Sequence, residues 1–336
     1  MAIELYLEVT KPRKSPLTFR YDQLAYAQYL EYFHQWDKVL VKDVQPLDIE
    51  RLLGIFSAKG LALATLKTMV SRLKKLFNWL IEDAQVVDMK SPIPKKIKFP
   101  NRGSLVRDRL ATEKEIQAIL TLVRGEWKTS STAPVGKIIH FLILSGCRLG
   151  EALHAEWSDF DLVPNIEGGL WHIKHKPKCP TKDGLGWSPK WNKPRTVILF
   201  PETVSLLKSL PKVKSTGRVL VRDGKSKLIG RETYPAEFIF PKLAKGEFER
   251  TDSIKKSWSG ILQRLGIEDL QIRDLRTYSN HVLRSKLGFS AKEAGAMLGN
   301  SEKVNELHYS PVFDLELKGK LKGVCFEDVA GFSKAN

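Results

Sequence analysis

Apolar residues in the first part of the chain recur at helical rather than strand spacing, and the stretch from about Leu17 to Val87 is rich in helix signals. Its clearest helix follows Thr65, read as the cap, with Leu66, Met69, Val70, Leu73, Phe77 and Leu80 on one stripe at i, i+3, i+4, i+7 spacing. The opposite face carries Lys67, Arg72, Lys74 and Lys75. Such a face is either simply solvated or able to lie along a DNA backbone.

A change of composition follows. In MKSPIPKKIKFPNRGSLVRDRL three prolines, Pro92, Pro94 and Pro100, exclude a continuous helix, because each lacks an N–H and restricts the residue before it. The segment reads as an extended connector, strongly basic through Lys95, Lys96, Lys98 and Arg102. Beyond it Thr112 and Glu115 have the spacing of a capping box, and Ile116, Ile119, Leu120 and Val123 continue it as an amphipathic helix. Residues 135–144, VGKIIHFLIL, are apolar on nearly every side, which marks a helix buried all round. Strand-like runs are confined to 170–174, 195–200, 218–221 and 238–240. The pattern predicts a mainly α protein with a small β-sheet. It comprises a short N-terminal segment 1–17, a helical domain 18–92, a basic linker 93–109, a larger α+β domain 110–311 and a tail 312–336.

Composition agrees with two cores: 336 residues, 42% hydrophobic and 28% charged, suffice for two ordinary domains. Charge narrows the partner. Lys and Arg number 55 against 38 Asp and Glu, and the net +17 attracts a polyanion, nucleic acid first among them. Cys147, Cys179 and Cys325 are odd in number and widely spaced, so neither a disulfide framework nor a zinc site is indicated. The N-terminus MAIELYLEVTKPRK lacks the apolar core of a signal peptide and no run reaches the length of a membrane span, so a cytoplasmic protein is expected.

Three places could carry chemistry. SGCRLGEALHAEW sets Arg148 at the end of the buried helix. A guanidinium there needs an anion, either a ligand or an internal carboxylate such as Glu151 or Asp159. In IRDLRTYSNHVL, Arg273 and Arg276 are three apart on one helix face, where two cations repel unless an anion such as phosphate lies between or above them. The alternative is one surface arginine and one paired with Asp274 or Glu268. In FSAKEAGAMLGNSEKVNELHYSP, Ser290 and Glu293 form a capping box, Gly299 ends that helix, and Ser301 caps a short one leading to Tyr309. A tyrosine in such a place is more often a packing residue than a nucleophile. Its spacing from the other motifs decides.

GCRLGEAL resembles the first box of the tyrosine recombinase (integrase) family, RDLR its H-x-x-R box, and LGNSEKVNELHY its LGH-S box with the tyrosine nine residues after the histidine position. TLKTMVSRLKKLFNWL and RLATEKEIQAIL resemble the family's core-binding helix and its entry to the catalytic domain, so the resemblance runs over most of the chain. KHKPKCPTKDGLGWSPKWNKPRTVIL stands where the family has its lysine hairpin. Counted back from RTVIL, Lys190 in PKWNKPRTVIL matches the pattern T-K-N-G-K-P-R-T-V-P-L position for position, whereas Lys182 in TKDG matches only the local tripeptide. Lys174, Lys176, Lys178 and Lys193 are then candidate phosphate contacts. Two positions depart from the family: Arg273 replaces histidine, and Asn300 replaces histidine or tryptophan. Both can donate to phosphate oxygens, and neither can act as a base near neutrality.

The resemblance implies a site-specific DNA recombinase or integrase of a mobile element, built as a two-domain clamp on double-stranded DNA. Its catalytic residues would be Arg148, Lys190, Arg273, Arg276, Asn300 and Tyr309, with Glu151 orienting Arg148. Lys67, Arg72, Lys74, Lys75, Lys95, Lys96, Lys98, Arg102 and Lys193 would bind DNA. Energy is conserved in a 3′-phosphotyrosine, so no metal and no cofactor are expected. The family also implies a homotetramer on DNA, with the tail exchanged between protomers, and accessory DNA-bending or directionality factors. A type IB topoisomerase-like enzyme and a catalytically impaired DNA-binding regulator are the alternatives.

Overall fold

The chain divides into two units, Met1–Leu105 and Val106–Asn336. The computed structural model describes residues 2–14, 16–32, 39–99, 109–125, 132–162, 168–176, 187–190, 193–222 and 228–308. Among them no helix is long and apolar enough to cross a membrane.

The first unit is built from α1 (Ala2–Thr10), α2 (Pro16–Tyr32), α3 (Pro46–Ala58) and α4 (Leu63–Asn78), the last running on into a π turn at Trp79–Asp83. Pro46 opens α3 where its missing N–H costs nothing, and the Gln45 N–H donates to Asp48 Oδ2 at 2.9 Å. The α4 stripe Leu66, Met69, Val70, Leu73 and Phe77, with Leu80 beyond it, is buried as its spacing predicts. It shares one core with Ile49, Leu52 and Phe56 of α3 and with Tyr6, Tyr26 and Tyr29. The rings Tyr6–Tyr26 and Tyr6–Trp79 meet edge-on, with centroids 5.8 and 5.4 Å apart. Structure thus extends into residues 2–10, ahead of the stretch where the apolar pattern is legible.

Two expectations for this unit change. Thr65 does not cap α4: the helix starts at Leu63, and the Thr65 N–H already donates to the Ala62 carbonyl at 2.9 Å. Gly60, at φ +78°, reverses the chain after α3 and lets extended Ala62 lead directly into the first turn. The connector is non-helical, as its prolines require, but it is not a bare linker from residue 93. Ile93, Ile97 and Phe99 pack on the first core while Lys95, Lys96 and Lys98 stay exposed. Reading the charge alone hid the apolar residues set between the lysines.

In the second unit, the Thr112–Glu115 capping box forms as predicted and opens α5 (Glu113–Arg124). It is followed by α6 (Val135–Ser145) and α7 (Leu149–Leu153). Val135, Ile138, Ile139, Phe141 and Leu142 of α6 are buried on several sides, and Phe141 meets Trp171 and Phe240 at 5.3 Å each. The strands β1 (Phe160–Asp161), β2 (Gly169–Ile173) and β3 (Arg195–Leu199) make one antiparallel sheet in that order, Trp171 opposite Val197.

After α8 (Pro201–Lys208) come β4 (Ser215–Arg222), β5 (Leu228–Ala236), β6 (Pro241–Ala244) and β7 (Glu247–Arg250), which form a second sheet in the order β5-β4-β7-β6. The mainly α character holds, and the small β part expected of this unit is divided between two sheets. The run 238–240 is not a strand: Phe238, Ile239 and Phe240 are all at most 2% exposed, and the Ile239 N–H donates to the Ala155 carbonyl. A segment buried on every side carries no alternation to identify its pairing. The chain then continues through α9 (Lys255–Leu265), α10 (Ile272–His281) with a π turn at Val282–Lys286, α11 (Ala291–Leu298) and α12 (Glu302–His308).

Candidate active site

Gly146 ends α6 at φ +59°, and an added Cβ would sit 2.5 Å from Leu298 Cδ2. This left-handed turn, made against α11, aims the next residues at the end of that helix. Arg148 becomes the N-cap of α7: its own N–H donates to Glu151 Oε2 at 2.8 Å and its Nη1 to Glu151 Oε1 at 2.9 Å. Its Nη2 reaches the Gly299 carbonyl at 3.0 Å and Asn300 Oδ1 at 3.1 Å. The internal partner foreseen for Arg148 is therefore Glu151. Asp159 lies elsewhere, 2.6 Å from Lys176.

Arg276, on α10 and 8% exposed, donates from Nη1 to the Gly146 carbonyl at 2.8 Å and from Nη2 to the Leu298 carbonyl and, at 2.9 Å, to Asn300 Oδ1. The Asn300 oxygen thus stands between two guanidinium groups. Since arginine only donates, the carboxamide must turn its oxygen to this side. Ser290 and Glu293 cap α11 reciprocally and Gly299 closes it at φ +76°, which brings Asn300 into place. The Ser301 hydroxyl then accepts from the Val304 N–H at 3.2 Å and starts α12. Asn305 fixes α12 to α10 through Asn280, Nδ2 to Oδ1 at 2.9 Å, both residues fully buried. Tyr309 follows the last residue of α12 and lies outside the described residues, as do Arg102, Lys178, Lys182 and the tail 312–336.

Not every predicted residue joins this cluster. Arg273 does not share a buried anion site with Arg276: its side chain is 68% exposed, with Nε 4.0 Å from Asp274. Lys190 is exposed in 187–190, ahead of β3, and Lys193 and Lys174 are exposed too. Lys176 is not a surface phosphate contact, because it is buried between Glu156 at 2.9 Å and Asp159 at 2.6 Å. In the first unit Arg72 pairs with Asp22 at 3.0 Å, and Lys67 lies 5.9 Å from the centre of the Phe99 ring. Lys74 and Lys75 keep exposed heads.

One site residue escaped the sequence reading. Arg195, the first residue of β3, grips both oxygens of Glu151, Nη1 to Oε1 at 2.9 Å and Nη2 to Oε2 at 2.8 Å. A signal existed. Arg195 has the strand parity of Val197 and Leu199, both buried, and an arginine on an inward face requires an acceptor.

The electrostatics follow from these contacts. Burial pushes the Glu151 pKa up, but the hydrogen bonds and charge of Arg195, then those of Arg148, more than offset this and hold it below the usual range. The adjacent Cys147 thiol is pushed up to about 12, chiefly by burial, and stays protonated. Among the described residues no group of three or more His, Cys, Asp and Glu side chains is placed to hold a metal ion.

His154 stacks on Trp187 at 4.9 Å and takes a hydrogen bond from Arg250 at Nε2. Burial and then the Arg250 charge lower its pKa to about 3 from 6.5. The unfolded chain therefore binds this proton below pH 6.5 while the folded one does not until about pH 3, so stability falls as the pH drops through that window. The expected slope is up to about 1.4 kcal/mol per pH unit. Melting curves between pH 7 and 5 should show it, and the His154→Gln protein should be flatter. An unchanged slope in the variant would show that His154 does not govern the loss.

No protein-family model matches the sequence, and no curated protein matches it. Solved structures do match in fold. The Tn1549 transposon integrase in complex with a circular intermediate DNA superposes with a TM-score of 0.65 at 15% identity, over 96% of this chain and 99% of that one. The XerH site-specific recombinase bound to its palindromic difH substrate gives 0.61 at 18% identity, over 92% and 80%. The lambda integrase tetramer bound to a Holliday junction gives 0.55 at 15% identity, over 93% and 77%. The chain has the two-domain fold of these DNA integrases and recombinases.

Proposed function

We propose that the protein is a tyrosine recombinase, a site-specific recombinase or integrase that cuts and rejoins duplex DNA through a 3′-phosphotyrosyl linkage at Tyr309. The observation that carries this reading is the convergence of Arg148 and Arg276, from separate helices, on the Asn300 oxygen at 3.1 and 2.9 Å. That turn leads through α12 to Tyr309. Two guanidinium groups held side by side are suited to the non-bridging oxygens of one phosphate and to the charge that builds on them in a pentacoordinate transition state. The Tyr309 oxygen attacks phosphorus, the bond to the 5′ oxygen breaks, and Lys190 protonates that departing oxygen to give the free 5′-hydroxyl. Neither Arg273 nor Asn300 supplies the imidazole of the family pattern, so removal of the tyrosine proton rests on water or another group. Religation is the reverse.

In this reading 18–92 is the core-binding domain, 93–109 the connector and 110–311 the catalytic domain. Lys67, Lys74, Lys75, Lys95, Lys96, Lys98, Arg102 and Lys193 meet DNA phosphates; Arg72 supports that face through Asp22. The protein works in the cytoplasm as a tetramer on paired sites, joined through the tail 312–336, with accessory DNA-bending or directionality factors.

The test is to incubate the protein with a pool of randomised duplexes, each carrying a nick that lets the freed 5′ fragment escape. The expected result is a detergent-resistant protein–DNA adduct whose sequence identifies the crossover site. Tight binding with no adduct would instead mark a binding-only regulator of the same fold. On that site, Lys190→Ala should cleave poorly and be rescued by a 5′-bridging phosphorothiolate, whose sulfur leaves without a proton. Rescue confined to Lys182→Ala would move the general acid to Lys182.

A further inference from the structure

Arg195 has no part in the scheme above, yet it touches both Glu151 and the turn after α11 that carries Asn300. Its side chain is 10% exposed and holds both oxygens of Glu151, the carboxylate that also holds the Arg148 guanidinium and main-chain N–H. Its Nε donates to the Met297 carbonyl at 3.4 Å. Its guanidinium lies close against the turn after α11: a Cβ on Gly299 would come 2.7 Å from Arg195 Cζ and Nε. Gly299 is thus required twice over, by its φ of +76° and by this arginine.

We propose that Arg195 is a positioning residue of this site, which clamps Glu151 from β3 and braces the turn 297–300, so that Arg148 and Asn300 are held ready for the phosphate. The inference rests on the reading of the site as a phosphate clamp. The chemistry favours it. Arg148 holds Glu151 through one guanidinium nitrogen and its main-chain N–H, and the forked grip of Arg195 on both oxygens adds a second, planar restraint on the carboxylate. Each of the three links, Glu151, Met297 and Gly299, is within reach of this one side chain, and Arg195 stands on the strand that follows Lys190. The same residue therefore ties the lysine-bearing connection to the arginine pair.

The experiment compares Arg195→Gln and Arg195→Lys with the parent protein on the nicked crossover duplex, measuring single-turnover adduct formation, affinity for intact duplex, and melting. A positioning role predicts that Arg195→Gln slows adduct formation about 100-fold, as a misplaced clamp would, with duplex affinity changed less than about 3-fold. Lysine keeps the charge but cannot grip two oxygens, so Arg195→Lys should lose about 10-fold with its melting preserved. It is also the variant to read if the glutamine protein does not fold. In a Glu151→Gln background, Arg195→Gln should add well under its own roughly 100-fold, because the two share the Glu151–Arg195 contact. Cleavage at the parental rate, losses that match the loss of binding, or fully multiplicative effects would each overturn the proposal.

A second readout does not depend on strand cleavage. Titrating inorganic phosphate should move the side-chain Nε–H NMR signals of Arg148 and Arg276, and more phosphate should be needed in Arg195→Gln. Should the parent form no adduct, this titration still decides: weakened phosphate binding supports positioning while the recombinase reading fails, and unchanged binding refutes positioning.

Discussion

Replacing Tyr309 by phenylalanine is expected to abolish the covalent protein–DNA adduct, by more than about 1,000-fold, while leaving duplex affinity within about 2-fold. The substitution deletes one oxygen and keeps the ring. Among the described residues Cys147 carries a thiol beside the arginines, and it is 3% exposed with its pKa pushed up to about 12. Binding draws on many phosphates along the duplex and hardly registers one hydroxyl. Denaturing gels of the nicked duplex and mobility shifts on intact duplex measure the two quantities. Persistence of the adduct in Tyr309→Phe would exclude this tyrosine as the attacking group.

Removing either arginine of the clamp is the second large effect expected. Arg148→Ala and Arg276→Ala should each slow cleavage by about 100- to 10,000-fold, with much smaller changes in binding, because the guanidinium groups matter most when phosphate charge rises in the transition state. The two should differ in stability. Arg276 is buried and supplies hydrogen bonds to the Gly146 and Leu298 carbonyls, so its loss should lower stability by about 1–3 kcal/mol. The Arg148 side chain is 28% exposed, and its removal should cost less. Chemical denaturation alongside cleavage assays separates these contributions. Cleavage that falls only in step with binding, in both proteins, would make them ordinary structural arginines.

What the sequence discloses about this site is local. The Thr112–Glu115 and Ser290–Glu293 boxes, the left-handed Gly299 and the all-round apolar α6 are set by interactions within a few residues, and each stands where the spacing puts it. Contacts across the chain are less legible. Arg72 and Asp22 meet only because α2 and α4 pack together, so a cation on an apparently solvated face proves to be tethered. Lys176 looked like one more surface lysine until the fold set Glu156 and Asp159 beside it. The hairpin of β6 and β7 turns through Lys245 and Gly246, both at positive φ (52° and 84°), where asparagine rather than lysine would have announced the turn. Arg195 was legible in principle, through strand parity, but its partner on α7 was not.

Besides Glu151 and Asn300, the arginines are anchored by the peptide backbone: the carbonyls of Gly146, Met297, Leu298 and Gly299 each accept from one of Arg148, Arg195 or Arg276. A carbonyl offers the same oxygen whatever side chain it belongs to. The clamp is therefore indifferent to most residue identities along these two turns and sensitive to their path, which the two glycines set. Such a site can lose nearly all recognisable spelling in its surroundings over evolutionary time without moving a guanidinium, and relatives of this chain are better sought by the course of these turns than by the letters that compose them.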